Sequence, residues 1–176
     1  MNSKVVAQTI SEASRKELSL LYYLPEELER AINENRAVIL EEGGRLIGGC
    51  FWRRVNDWLE LDTLYILPEF RGRGYVRKLF SRVKDYLQAN PDFSSEGGSA
   101  PGGKKAFAFT QVQAIRKIIT EYGFKPERFS RLPLGVWLKI FKHRLHPMRI
   151  ISYLKYFREL SRLGTWQLYV FVSVRE

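Results

Sequence analysis

One cysteine, Cys50, and two histidines, His143 and His146, are all the thiol and imidazole metal-ligand chemistry in these 176 residues. A single cysteine excludes an intrachain disulfide and any multi-cysteine metal site. Two histidines are too few for a histidine-based zinc centre, so the pair is read as loop or helix-cap chemistry. Long hydrophobic runs are also missing. The longest uncharged stretch, Leu163 to Val174, is twelve residues, well short of the roughly 20 that a spanning helix needs, so no transmembrane segment is expected. The N-terminus has no basic-then-apolar signal pattern. Internal repeats are absent, and low complexity is confined to SSEGGSAPGG at Ser94 to Gly103. The expectation is a cytoplasmic, metal-free protein of one domain over residues 1–176.

Apolar and aromatic residues are plentiful. The chain is 45% hydrophobic, with 4 Trp, 9 Tyr and 11 Phe, a globular composition far from that of disorder. The formal net charge is +10. Residues 125–163 hold ten Lys or Arg against Glu127 and Glu159, so that stretch alone carries +8. Residues 125–165 are set apart as a variable basic segment within the domain. Such a patch suits a nucleotide-bearing cofactor, an anionic membrane face, nucleic acid or an acidic carrier protein; the plainer reading is a solvated face.

Patterning gives a mixed order of elements. Val5 to Ile10 reads as a short β-branched first strand. Residues 11–35 are helical, interrupted by Pro25, which with Glu26 and Glu27 suits the first turn of a second helix. Strands follow at Ala37 to Glu41 and Arg45 to Val55, joined by a Gly43-Gly44 hairpin signal, and at Trp58 to Leu67. Val76, Leu79, Phe80, Val83 and Leu87 line one face of the next helix. A strand at Lys105 to Thr110 precedes a helix at Gln111 to Tyr122, closed by Gly123. Leu134 to Phe141 alternates and is expected as a strand over a helix. Pro147 to Leu163 is expected as an amphipathic helix, and Trp166 to Val174 as the last strand.

The chemistry concentrates where the third central strand meets its helix, at Arg71-Gly72-Arg73-Gly74-Tyr75-Val76. A helix start leaves amides without partners and carries positive partial charge, and glycines let backbone close around phosphate oxygens. Residues 71–77 are therefore a candidate pyrophosphate cradle; a plain strand-to-helix turn with exposed arginines is the alternative. A dinucleotide-binding fingerprint does not fit, because the glycine-rich turn would follow the first strand.

The run Leu64 to Val76, with Leu67-Pro68 before Arg71-x-x-Gly74, resembles the acyl-CoA signature of the GNAT superfamily of N-acyltransferases. Gln111-Val112-Gln113-Ala114 followed by Gly123-Phe124 resembles that family's second motif, with Gln in place of Asn. The resemblance covers residues 1–124 well and the remainder poorly. It implies an α/β fold with a mixed, mostly antiparallel central sheet and helices on both faces. It also implies acetyl-CoA or another acyl-CoA as co-substrate without a metal, and a small-molecule or peptide primary amine as acceptor. Pantetheine would lie along the backbone of Leu64, Tyr65 and Ile66. The pyrophosphate would rest on Arg71, Gly72, Arg73, Gly74, Tyr75, Val76 and Arg77, with Gln111 also on the cofactor. The family's strand-borne general base corresponds to Glu60, whose neighbour Asp62 shares its face in a regular strand.

Two departures stand out. Val76 replaces a small residue, and Ile119 stands where many members carry a tyrosine that protonates the leaving thiolate; Tyr122 lies about 300° round the helix from it. That absence leaves open a second class, a catalytically weak binding module with the basic segment on an acidic partner. A carrier-protein acyl donor is a third reading. Nucleic acid is not the expected partner, and the sequence does not fix an oligomeric state, a dimer included. Cys50, beside Gly48-Gly49, reads as a small buried residue.

Overall fold

The computed structural model describes residues 1–17, 23–89, 104–145 and 167–173. Helices α1 (Ser3–Lys16) and α2 (Pro25–Asn33) come first, then strands β1 (Ala37–Glu42), β2 (Arg45–Val55) and β3 (Trp58–Ile66). Helix α3 (Tyr75–Ala89), β4 (Lys104–Thr110), α4 (Gln113–Glu121), β5 (Lys125–Glu127), α5 (Leu134–Arg144) and β6 (Gln167–Ser173) complete the described order. The six strands form one sheet, β1-β2-β3-β4-β6-β5. Among the described strands only the β3–β4 pair is parallel, and a parallel pair needs a crossover such as the one through α3. The expected mixed, mostly antiparallel sheet is therefore present, and the helices divide between its two faces. The expected helix over 147–163 lies outside the described residues, as does the 94–103 loop.

Two expected strands are helices. Val5 to Ile10 belongs to α1, where the Asn2 side chain caps the Lys4 amide at 2.9 Å. Val6, Ala7 and Ile10 are buried while Val5 is 55% exposed. This is a helical stripe packed on Leu28, Leu46, Phe51 and Tyr65, and packing overrides the weak β preference of valine and isoleucine. Leu134 to Phe141 is most of α5. Val136 and Ile140 are buried, whereas Leu134, Leu138 and Phe141 are exposed. Apolar residues on both sides of one helix erase the 3.6-residue period and leave the apparent alternation that suggested a strand. The short β5 had no recognisable signal.

The apolar stripe of α3, with Leu79, Phe80, Val83 and Leu87 buried, packs with α4 on one sheet face over Leu59, Leu61 and Ala106. Each fully buried leucine or phenylalanine there contributes roughly 1.5–3 kcal/mol. Opposite, α1 and α2 cover one end of the sheet, while α5 packs on Val55, Trp58, Phe107 and Leu168.

One irregularity organises the centre. Phe51 pairs with Thr63 and Trp52 with Leu61, which leaves Asp62 as the extra residue of a bulge in β3. A bulge resets the alternation of side chains. Leu59 and Leu61 join the α3 face before it, and Leu64 and Ile66 join that same face after it.

Candidate active site

Beyond the bulge, β3 and β4 part. Their pairing ends at Leu61 and Ala108, whereas β3 stays paired to β2 as far as Ile66. The Leu67 amide donates to Ile47 O at 2.9 Å. Antiparallel alternation then turns the Tyr65 groups towards β2 and those of Leu64 and Ile66 towards the open edge. Gly48 permits the tight β2–β3 approach at this point: a Cβ there would lie 2.1 Å from the Tyr65 carbonyl oxygen. The gap is a cleft of about 100 Å³ lined by Cys50, Thr63, Leu64, Ile115 and Ile119, and also by Asp62 and Arg144. Burial pushes the Cys50 thiol up to about 12, so it lines the cleft as a neutral apolar group and not as a nucleophile. Thr63 Oγ1 is buried there without a hydrogen-bond partner.

Residues 71–77 form an open turn. Gly72 and Gly74 have φ of 75° and 79° with nothing within 4 Å of a Cβ, so glycine is favoured by the left-handed backbone and not by crowding. The amides of residues 72–76 donate to no acceptor among the described residues, whereas the Arg77 amide closes on Gly74 O at 3.0 Å.

The three arginines of the turn differ. Arg71 Nε donates to Ile66 O at 3.0 Å, its Nη2 pairs with Glu17 at 2.6 Å, and its guanidinium lies 5.4 Å from the Tyr65 ring centre. Arg77 makes a two-pronged pair with Glu121 at 3.0 and 2.8 Å, and those hydrogen bonds hold the Glu121 carboxyl below its usual range. Arg73 has no hydrogen bond or ion pair among the described residues, so of the three guanidiniums only it is uncommitted. The Tyr75 hydroxyl donates to Glu42 at 2.5 Å, and that bond, first among the causes, raises the phenol. Val76 packs against the core. Gln111 is buried with both side-chain amide atoms unpartnered.

Glu60 and Asp62 anchor a buried charge cluster. Glu60 is fully buried; its Oε2 accepts from Arg53 Nε at 2.8 Å and from Arg53 Nη2, and its Oε1 accepts from Arg144 at 3.1 Å. Asp62 Oδ2 lies 3.4 Å from Arg53 Nε and 3.6 Å from His143 Nε2. Both oxygens of Glu60 are thus committed to guanidiniums. Asp62 also lines a second cleft of about 170 Å³, bounded by Tyr23, Leu28, Phe51, Arg53 and His143. Among the described residues, this carboxylate on the extra residue of a bulge is the one acid that lines both clefts.

Sequence reasoning did not bring Arg53, Thr63, His143 or Arg144 to the site. Arg53 stands directly across from Glu60 in the β2–β3 hairpin, a cross-strand pair legible once the turn at Asn56-Asp57 is placed. The other side of the cluster comes from the last turn of α5, which no local pattern placed near β3. Ile119, expected to replace a tyrosine, is fully buried and lines the first cleft. The Tyr122 hydroxyl instead donates to Arg77 O at 2.8 Å.

Comparison with known proteins bears on the fold that carries this geometry. No curated protein matches the chain. Among solved structures it is similar to a Mycobacterium tuberculosis protein in complex with CoA, with TM-score 0.64 and 15% identity over 97% of this chain and 95% of that one. A ribosomal-protein-alanine N-acetyltransferase from Brucella melitensis has TM-score 0.60 at 12% identity, covering 98% and 94%. N-acetylglutamate synthase from Neisseria gonorrhoeae, complexed with coenzyme A and N-acetyl-glutamate, has TM-score 0.57 at 19% identity over 99% of this chain. This chain spans only 32% of that synthase. At these identities the similarity concerns the fold. The acetyltransferase (GNAT) family model matches residues 7–96, from α1 through the turn and α3. By that match the chain belongs to the acetyltransferase (GNAT) family.

Proposed function

We propose that the chain transfers an acyl group, acetyl in the simplest case, from acyl-CoA to a primary amine by direct attack within a ternary complex. One observation carries the reading: Asp62 lines both the cleft at the parted strands and the cleft beneath α2. A donor in the first and an acceptor in the second would therefore meet at one carboxylate. The donor side has groups that a pantetheine and pyrophosphate need: the β3 edge at Leu64 beyond its pairing with β4, the open amides of residues 72–76, and the unpartnered Thr63 and Gln111. Arg73 adds free charge, while Arg71 and Tyr65 brace the turn on β3. Several solved neighbours are, by their descriptions, transferases to amines, including spermidine N-acetyltransferase of Vibrio cholerae.

Asp62 would receive the ammonium of the acceptor; Glu60 would hold Arg53 and Arg144 in place around it. Release of free thiol from acetyl-CoA, measured over a panel of amino acids, polyamines and peptides, tests the reading. Turnover on at least one amine is expected, falling roughly 10² fold or more in Asp62→Asn. The apolar Ile119 in the donor cleft favours one other outcome, CoA binding without turnover on any amine, which would make the chain a binding module. A longer acyl chain, or one carried on an acidic protein, would show as turnover with those donors and none with acetyl-CoA.

A further inference from the structure

We infer that α5 carries an outward face that docks the protein on an anionic lipid bilayer. Such docking goes beyond acyl transfer and does not depend on it. Helix α5 is apolar on two sides, and one of them belongs to the fold. Val136 and Ile140 are buried there with Phe107 and Leu168. On the other side Leu134, Leu138, Phe141 and Leu145 are 74%, 62%, 54% and 61% exposed. At about 100° per residue these four fall within an arc of about 60°, turned well away from Val136 and Ile140. They form one ridge along the length of the helix. Single exposed apolar residues are ordinary, but a contiguous outward ridge marks a contact surface for lipid or protein.

Aromatic packing holds the ridge in place. The Trp137 ring centre lies 5.6 Å from that of Phe141 and 5.9 Å from that of Phe129. Its Nε1 donates to Phe129 O at 3.1 Å. Phe129 is itself exposed and stacks on Phe109, with ring centres 6.0 Å apart.

Charge selects the occupant. Within residues 125–145, Lys125, Arg128, Arg131, Lys139, Lys142 and Arg144 are balanced only by Glu127. Arg144 is tied to Glu60. Arg128, Arg131, Lys139 and Lys142 are exposed and make no ion pair among the described residues. A second copy docked on the same face would bring these cations together across a twofold contact. Residues 146–163 match no better, with Arg149, Lys155, Arg158 and Arg162 against Glu159. A nucleic acid would complement the charge but not the leucines. An anionic bilayer complements both, its acyl chains receiving Leu and Phe and its phosphates the basic flank. No described helix is long and apolar enough to cross a membrane, so α5 would lie in the plane of the interface.

The test is co-sedimentation of the full chain with vesicles of equimolar phosphatidylglycerol and phosphatidylcholine, and with phosphatidylcholine vesicles alone. Binding to the anionic vesicles is expected to be roughly tenfold tighter or more, and to weaken with added salt. Leu138→Gln combined with Phe141→Gln should weaken it by roughly tenfold or more. Both side chains are exposed, so Tm should stay within about 2 °C of the wild type. Lys139→Ala combined with Lys142→Ala should weaken binding about fivefold for each charge. No binding by the wild type overturns the inference. Equal binding by the Leu138→Gln, Phe141→Gln variant also overturns it, because only a general attraction of basic surface would remain. A large fall in Tm in that variant would show that the same chain covers the ridge. Conversion of a dimer to a monomer by light scattering would show that a second copy does. Either of these two results overturns the inference as well.

Discussion

Glu60 stands where the family's motif would place a base, and its surroundings are those of a buried ion cluster. The carboxylate is buried and bonded at both oxygens to arginines from β2 and α5. Removing one partner of a buried ion cluster strands the others and costs about 3–5 kcal/mol. Glu60→Gln is therefore expected to lose about 3 kcal/mol in urea unfolding, and Asp62→Asn much less. Equal midpoints for the two variants would show that Glu60 does not hold the cluster. A fall in turnover in Glu60→Gln would not by itself identify a base.

At the level of elements, the turn before α3 and the packing of α4 share one clamp. Arg77 is bound to Glu121, and Tyr122 closes on the Arg77 carbonyl. Arg77 thus joins α3 to α4, whereas Arg73 is free to meet a phosphate. Arg73→Ala is expected to weaken CoA roughly fivefold to tenfold and flatten its salt dependence, by the usual worth of a charge-assisted contact. Arg77→Ala should change CoA affinity less than twofold by calorimetry; the reverse ranking would place Arg77 in the cradle. Because the Glu121 carboxyl is held below its usual range, the clamp contributes above the ordinary carboxylate pKa. It is lost as pH falls through the lowered value. Both side chains are exposed, so the effect on overall stability is small.

The same scale shows what the sequence could reveal. The β1–β2 hairpin, the α3 stripe and the glycine turn were legible because each is fixed by residues a few positions apart. Helix α1 was misread because β-branched residues suggest strand until the stripe of Val6, Ala7 and Ile10 is matched to a surface. Helix α5 was misread because it is apolar on two sides. That second error hid His143 and Arg144, whose meeting with Asp62 and Glu60 spans more than eighty residues and depends on packing alone.

For the molecule as a whole, two half-sites built by different layers meet at one bulge. Under the proposed reading, the sheet edge and α3 would make the donor side, and α2, β2 and α5 the acceptor side. The donor side can be tested without knowing the acceptor. Ligand at a hundredfold its Kd adds about 2.7 kcal/mol to stability, and for a chain of this size each kcal/mol raises Tm by roughly 2–4 °C. Gly74→Ala tolerates the open space at the turn but pays about 1–2 kcal/mol for its left-handed backbone, so it controls for strain. Gly74→Glu adds a negative charge at the same place. The most direct measurement is thermal unfolding of wild type, Gly74→Ala and Gly74→Glu with and without CoA. The expected result is a rise of roughly 5–10 °C in the wild type, a rise retained in Gly74→Ala from a lower starting point, and none in Gly74→Glu. An equal rise in Gly74→Glu, or none in the wild type, would contradict a cofactor cradle at residues 71–77.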